Sequence, residues 1–339
     1  MPGAAKLPLI VVSVGCPAGI GPEVSVAAAH RLRGVRRVLV GDLAMLREAA
    51  ELVGVPARKL VPLTDEARDT SKLYVLEAGP KLTPKDRKPG KPSPAAGAAQ
   101  LAYVEAAYAL VRSKERAALV TGPVSKAAIA RSGLRRARRF RGHTEWLQAL
   151  DGARSSVMCF AAERLVTSLV TTHLPLAEVP RALSPELVSE ATYWLGRLLQ
   201  GLGSARPRVV VSSLNPHAGE DGMFGAEEAR AIVPGIAQAR ARLGRSAVIS
   251  GPLGAETAYR KAYAGAFDGV VAMYHDQATI PMKLVAFGDA VNVTMGLSIV
   301  RTSVDHGTAY DIAWRAKADP SGMRAALALA ARLVAGRRR

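Results

Sequence analysis

GVVAMYHDQATIPMK (residues 269–283) holds the sharpest change of character in the chain. Gly269 to Tyr274 is a short, unbroken run of small and apolar residues, as in a strand covered on both faces. It stops abruptly at His275, Asp276 and Gln277, and Lys283 follows. A capped strand end explains such a boundary, and so does a metal or catalytic site. The same kind of run recurs at 9–15 (LIVVSVG), 37–42 (RVLVGD), 117–121 (AALVT), 157–162 (VMCFAA), 164–172 (RLVTSLVTT), 208–213 (RVVVSS), 247–251 (AVISG) and 290–295 (AVNVTM).

Between these runs lie longer segments rich in Ala, Leu, Glu and Arg. Helices are predicted over 43–54, 97–113, 185–202, 226–244 and 321–336. Strands alternating with helices define an α/β fold with a largely parallel central sheet. LTPKDRKPGKPSPAAG (82–97) reads as a loop. The 339 residues, 49% of them hydrophobic, suffice for two domains. No apolar stretch has the ~18 residues of a membrane span, and the N-terminus lacks the layout of a signal peptide. Two cysteines, Cys16 and Cys159, make neither a metal pair nor a disulfide framework and suit a reducing cytoplasm.

The formal net charge is +18. It concentrates in RLRGVRR (31–37), RRARRFR (135–141) and GRRR (336–339). Aromatic residues are only 5%, so these clusters lack the aromatic interleaving of a single-strand binder and read as solvated Arg-rich faces. No specific nucleic-acid partner is expected.

GCPAGIGPE (15–23) follows the first strand, yet it is not GxGxxG, and no GxxxxGK[ST] occurs. Taken alone it reads as a strand-to-helix turn or a close ligand approach. Three of the six histidines share a placement: His173, His217 and His275 each follow the C-terminal end of a predicted strand. Ligands bind at that edge of parallel α/β sheets. Three imidazoles converging there would suit a catalytic divalent ion. Each histidine alone is more often a hydrogen-bonded structural residue. RGHTEW (141–146), NPHAGEDG (215–222) and NVTMGLSIVRTSVDHGTA (292–309) add polar residues, and their glycines and prolines point to loops. Lys283 and Arg301 are candidate clamps for a phosphate or carboxylate. No G-x-S-x-G elbow is present, and nucleophilic catalysis is poorly supported.

GCPAGIGPE, TGPVSKAAI (121–129), RGHTE, THLPL (172–176), LNPHAGEDGMFG (214–225), GPLGAET (251–257), YHDQ (274–277) and VNVTMGLSIVRTSVDHGTAYDIA (291–313) occur in one order over nearly the whole length. With these motifs the chain resembles the 4-hydroxythreonine-4-phosphate dehydrogenase family of pyridoxal phosphate biosynthesis. The resemblance implies two α/β domains around a central cleft, as in isocitrate and isopropylmalate dehydrogenases, here at about 1–125 with 290–339, and 126–289. It implies a cytoplasmic homodimer with shared active sites and a cofactor, NAD or NADP, bound without the GxGxxG fingerprint; the cofactor-contacting residues stay unassigned. It implies His173, His217 and His275 as ligands of a divalent metal shared between subunits, with Zn²⁺ first and Co²⁺, Mn²⁺ or Mg²⁺ as alternatives. His143, Thr144, Lys283, Asn292 and Arg301 are implied to bind substrate.

The implied reaction oxidises and decarboxylates 4-phosphohydroxy-L-threonine to 3-amino-2-oxopropyl phosphate. Asp276, Asp305 and Lys283 are candidates for the base. A paralogue acting on D-threonate or D-erythronate 4-phosphate shares the same chemistry. A phosphate acyltransferase of related fold would not need the histidine trio. Three positions depart from the family's pattern. Cys16 stands in place of an Asp and removes a carboxylate. Ala278 stands in place of a Gly, where a turn of positive φ would resist a side chain. Gly122-Pro123 replaces Ala-Pro.

Overall fold

In the computed structural model, residues 7–65 and 68–336 are described. The strands among them are β1 (Leu9–Ser13), β2 (Arg36–Val40), β3 (Leu60–Pro62), β4 (Leu73–Leu76), β5 (Ala117–Thr121), β6 (Val157–Ala161), β7 (Val166–Leu169), β8 (Arg208–Ser212), β9 (Val248–Leu253), β10 (Gly269–Ala272), β11 (Val291–Met295) and β12 (Val300–Ser303). The chain divides into two compact units. One holds the residues up to Arg154 and those from Leu297 onward, the other Ser155–Gly296.

In the first unit the strand order is β3-β4-β2-β1-β5-β12, and every pairing is parallel. β1 lies in the middle of this order and all five of its residues are buried. That explains its unbroken LIVVS: a parallel strand covered by helices on both faces has no polar side to present. The helix Pro94–Arg112 lies against β1 and β5, and the helix Ser321–Gly336 against β12 and β5. Ser93 caps the former through the Ala96 amide, with Pro94 in its first turn. Arg37, from the basic run 31–37, is buried rather than solvated. Its guanidinium donates to the carbonyls of Ala29, Leu32, Thr70 and Lys72. The last three residues of the basic tail, 337–339, lie outside the described residues.

In the second unit the order is β11-β6-β7-β10-β8-β9. β7, β10, β8 and β9 run parallel, while β6 is antiparallel to both β7 and β11. The helices Pro185–Gly201 and Val233–Leu243 pack against each other. An apolar cluster of Phe160, Leu169, Val210, Val270, Ala278 and Met282 fills one face. The fold class is therefore as expected, α/β with a mostly parallel sheet. No helix among the described residues is long and apolar enough to cross a membrane.

Several local expectations need correction. RGHTEW is not a loop: the helix His143–Asp151 begins at His143. Arg301 lies within β12 rather than a loop, whereas Asn292 lies in β11, as the run AVNVTM predicts. Lys283 sits on the helix His275–Ala286, which the histidine itself opens and which carries Pro281 inside. Helix Gly21–Arg31 follows the turn of GCPAGIGPE. Ala278 occupies a buried helical position, not a turn of positive φ. Its methyl group is part of the apolar cluster, so this departure from the family pattern is compatible with the local backbone. Ala278→Gly is expected to lower stability by about 1–2 kcal/mol, from lost helix propensity and one lost buried methyl. Urea denaturation checks this; a stability gain would show that the backbone here favours glycine.

Candidate active site

The second unit brings three histidine-bearing segments to one sheet edge. β10 pairs in parallel with β7 on one side and β8 on the other, with Val270 opposite Thr167 and Val210. His173 follows β7, His275 follows β10 and His217 follows β8. The strand ends are locked together beyond the regular ladder. Thr171 donates its amide and its hydroxyl to the Met273 carbonyl, the hydroxyl at 2.7 Å. Gln277 accepts from the Met273 amide at 2.6 Å and from the Ser212 hydroxyl at 2.9 Å, and donates to the Ser213 carbonyl at 2.9 Å. The polar break after GVVAMY thus has a structural component, and Gln277 carries it.

His275 and Asp276 are not part of that clamp. The His173 and His275 rings lie 5.8 Å apart, centroid to centroid, tilted by 38°. Asp276 Oδ1 is 2.7 Å from His275 Nδ1. A carboxylate on Nδ1 fixes the tautomer and leaves Nε2 for a ligand, as carboxylates beside metal-bound histidines do. His217 is exposed and lies 6.3 Å from the Phe224 ring. Its backbone is left-handed, as is that of every residue from 217 to 221. Such strain in non-glycine residues persists only where surrounding contacts impose it. Here Glu228, buried, accepts from the amides of Leu214 and Asn215, and the Asn215 side chain donates to both Glu227 and Glu228. The structure thus gathers His173 and His275 and places His217 on the adjoining strand end. Among the described residues no set of three or more His, Cys, Asp or Glu side chains in the one chain forms a metal-binding group. The neighbouring imidazoles and the carboxylate-held tautomer still fit a nitrogen-preferring divalent ion.

The first unit gathers a different set of charged and polar groups. Arg301 in β12 is 3% exposed and donates from Nη2 to Thr121 Oγ1 at 2.7 Å. Thr121 in turn donates to Ser303 at 3.0 Å. Burial lowers the Arg301 pKa to about 10, with Glu145 opposing the shift, so the guanidinium stays charged at neutral pH. His143 opens its helix with Nε2 buried and unpartnered, although part of the residue is solvent-accessible. Burial first, then the charges of Arg301 and Lys126, bring its pKa down to about 3. His143 is therefore a neutral hydrogen-bonding group. Thr144 follows it in the first turn. Asp305 lies exposed just past β12. In the second unit, Asn292 is half-buried on β11 and Lys283 is exposed on its helix.

Sequence reasoning missed Lys126. It opens the short helix Lys126–Ala130, and its Cε lies 3.7 Å from where a Cβ on Gly142 would stand. Glu145 Oε2 would be only 2.8 Å from that same Cβ, so Gly142 leaves the room in which these side chains meet. The only signal was a lysine in a helix start after GPVS. Cys16, 0% exposed, makes a 3.5 Å contact from Sγ to Tyr310 Oη. Burial raises both pKa values, that of Tyr310 to about 12, so both groups are neutral hydrogen bonders. Gly15 has φ +82°, and a Cβ there would fall 2.3 Å from the Pro123 carbonyl oxygen, so this turn admits only glycine. Glu23 accepts from the Trp314 and Ala316 amides and ties the same turn to the C-terminal segment.

Known proteins give this architecture a class. A 4-hydroxythreonine-4-phosphate dehydrogenase from Geobacter metallireducens is 43% identical over 96% of both chains. A D-threonate 4-phosphate dehydrogenase from Cupriavidus necator is 40% identical over 98% of both. The crystal structure of 4-hydroxythreonine-4-phosphate dehydrogenase from Klebsiella pneumoniae superposes with a TM-score of 0.84 at 34% identity, covering 97% of this chain and 100% of that one. The class is that of two-unit α/β oxidoreductases using a nicotinamide cofactor. Within it, the chain belongs to the family of PdxA, the pyridoxal phosphate biosynthetic protein, whose model matches residues 34–330.

The depressed His143 pKa sets a pH dependence. A histidine with a folded pKa near 3 stays neutral on acidification, while the unfolded chain takes up a proton near pH 6.5. The unfolded state then binds more protons, so stability falls as pH drops below about 6.5. By pH 5 this one group costs about 2 kcal/mol, at about 1.4 kcal/mol per pH unit. Urea denaturation at pH 7.5 and pH 5 should show this loss in the wild type and a smaller one in His143→Gln. Equal acid losses would contradict a neutral, buried His143.

Proposed function

We propose that the protein is an NAD-dependent, divalent-metal-dependent dehydrogenase. It oxidises and decarboxylates 4-phosphohydroxy-L-threonine to 3-amino-2-oxopropyl phosphate in the biosynthesis of pyridoxal 5′-phosphate. The observation that carries this reading is the convergence of the His173-, His275- and His217-bearing segments at the ends of three adjacent parallel strands, within a family of dehydrogenases. His173, His275 and His217 are the metal ligands in this reading, His217 completing the site in a homodimer. The helix His275–Ala286 supports a dimer: Ile280, Leu284 and Phe287 make an apolar row exposed at 67%, 84% and 84%. The two free thiols suit a reducing cytoplasm.

When bound, the ion (Zn²⁺ first by donor type, with Co²⁺, Mn²⁺ or Mg²⁺ as alternatives) supplies positive charge beside the oxygens of the reacting carbons. The chain's own residues hold the substrate. Arg301 offers a desolvated guanidinium fork to a phosphate or carboxylate, and Lys283 a point charge. Neutral His143 and Thr144 add hydrogen bonds at the start of their helix, and Asn292 adds an amide. A bound nicotinamide would accept the C3 hydrogen with its electron pair, and the hydroxyl proton would pass to a base. The resulting β-keto acid would lose CO₂, the electrons of the broken C1–C2 bond flowing toward the new carbonyl, and C2 would then take up a proton to give the amino ketone. Of Asp276, Asp305 and Lys283, Asp276 already engages His275 Nδ1 and is a positioning residue. The base is then Asp305 or Lys283.

A second reading has one specific support: the similarity to the Cupriavidus necator enzyme is nearly as high. Under it the substrate is D-threonate or D-erythronate 4-phosphate, with a hydroxyl in place of the amino group at C2. The test is NADH absorbance with metal-stripped protein resupplied with Zn²⁺ or Co²⁺, given NAD⁺ and either 4-phosphohydroxy-L-threonine or D-threonate 4-phosphate. Metal-dependent turnover of the amino acid is expected, with His275→Ala lowering kcat/KM at least about 100-fold. Turnover of the sugar acid alone would move the protein to the second reading. No turnover of either by folded, metal-loaded protein would overturn both.

A further inference from the structure

The basic run RLRGVRR (31–37) has no role in the proposed reaction, and the fold gives its arginines separate tasks. Arg37 is sunk into the first unit as a staple for five backbone carbonyls, those of Ala29, His30, Leu32, Thr70 and Lys72. Arg33 donates to the His30 carbonyl at 2.7 Å. Together these two arginines cover the carbonyls that the helix Gly21–Arg31 would otherwise expose at its negative end. Arg31 is different: it is exposed and, among the described residues, makes no hydrogen bond or ion pair.

Beside Arg31 lies a cavity of about 470 Å³, with His30, Arg31, Arg33 and Arg324 in its lining. No carboxylate lines it. Asp319 lies 4.0 Å from Arg324 Nη2, and both its oxygens accept from Ser321. Burial and then the positive charges of Lys59, Arg33, Arg37 and Arg31 lower the His30 pKa. The floor is apolar, from Ala27, Val53 and Val55. Arg324 lies in the first turn of the helix Ser321–Gly336, whose positive end adds to the field. Three guanidinium groups around an apolar floor repel one another unless an anion joins them, and burial with these charges keeps the His30 imidazole beside them from adding a proton. The concave shape and a volume inside the range of small-molecule pockets favour a small ligand over a flat polyanion.

We propose that this cavity is a binding site for a small phosphorylated metabolite, separate from the catalytic residues. Its phosphate is gripped by Arg31 and Arg324, and its apolar body rests on Ala27 and Val55.

The probe is adenosine 5′-monophosphate, a phosphate on a flat aromatic base, titrated calorimetrically into the full-length protein without NAD⁺, whose own adenylate would compete for the cavity. Adenosine is the control. Wild type should bind the monophosphate at least tenfold more tightly than adenosine. The double variant Arg31→Gln/Arg324→Gln should lose at least tenfold in that affinity, with melting temperature and NADH formation unchanged. Ala27→Phe, which fills the floor and keeps every charge, should also weaken binding, and simple adsorption to a basic surface would not respond to it. No binding to wild type, equal binding of adenosine, equal affinity in the double variant, or indifference to Ala27→Phe would each overturn the proposal. Melting temperature and binding are read without turnover, so this outcome is independent of the assigned reaction.

Discussion

The register of three parallel strands is the constraint on which the rest of the second unit depends. With Val270 opposite both Thr167 and Val210, the ends of β7, β10 and β8 fall at one level. A slip of one residue in any of them would exchange the two buried faces of that strand and move its histidine. Beyond the ladder, Thr171 ties the end of β7 to the Met273 carbonyl, and one amide side chain joins the ends of β10 and β8. Gln277 satisfies the Met273 amide, the Ser212 hydroxyl and the Ser213 carbonyl together. Each such bond contributes about 1 kcal/mol, and leaving buried partners unmet costs more. The residue next to His275 and Asp276 in sequence is thus the one that fixes where they stand.

The first unit solves a different physical problem, keeping a cation inside a sheet. Arg301 sits in a strand at 3% exposure, where a bare charge is costly. Its bond to Thr121 meets part of that cost. What remains is a charged group with little water around it, whose attraction for an anion is stronger than at a wet surface. Burial, and after it the charges of Arg301 and Lys126, holds His143 neutral. A cation that grips and an imidazole that only hydrogen-bonds are therefore parts of one electrostatic arrangement. Lys126 and Arg301 act on His143 together, and a change in either charge alters what the histidine can do.

How far the sequence disclosed this varies with the type of signal. AALVT at 117–121 became β5 with the same bounds, because a buried parallel strand is written as an unbroken apolar run. β12 was not read as a strand, since VRTS carries an arginine and two hydroxyl residues, and only burial against the helix Ser321–Gly336 decides its state. The edge strand β3 and its neighbour β4 were missed for their shortness. The helix His275–Ala286 was hidden by its polar start and its internal proline, and the helix at His143 by the glycine before it. The placement of His173, His217 and His275 after strands was legible, and the two middle links, the strand pairing and the Gln277 clamp, were not. No local pattern announces that Lys126 and Gly142, far apart in sequence, share a space, or that Arg37 is buried while Arg31 is not.

The central claim is that the three strand-end histidines serve a single metal ion. Titrating metal-free protein with Co²⁺ and following its visible ligand-field absorption tests it most directly, in wild type and in His173→Ala, His217→Ala and His275→Ala separately. The account predicts one Co²⁺ per chain and a loss of affinity of at least about 100-fold in each variant, His217→Ala included. Undiminished Co²⁺ affinity in His217→Ala, or saturation at two ions per chain, would contradict it.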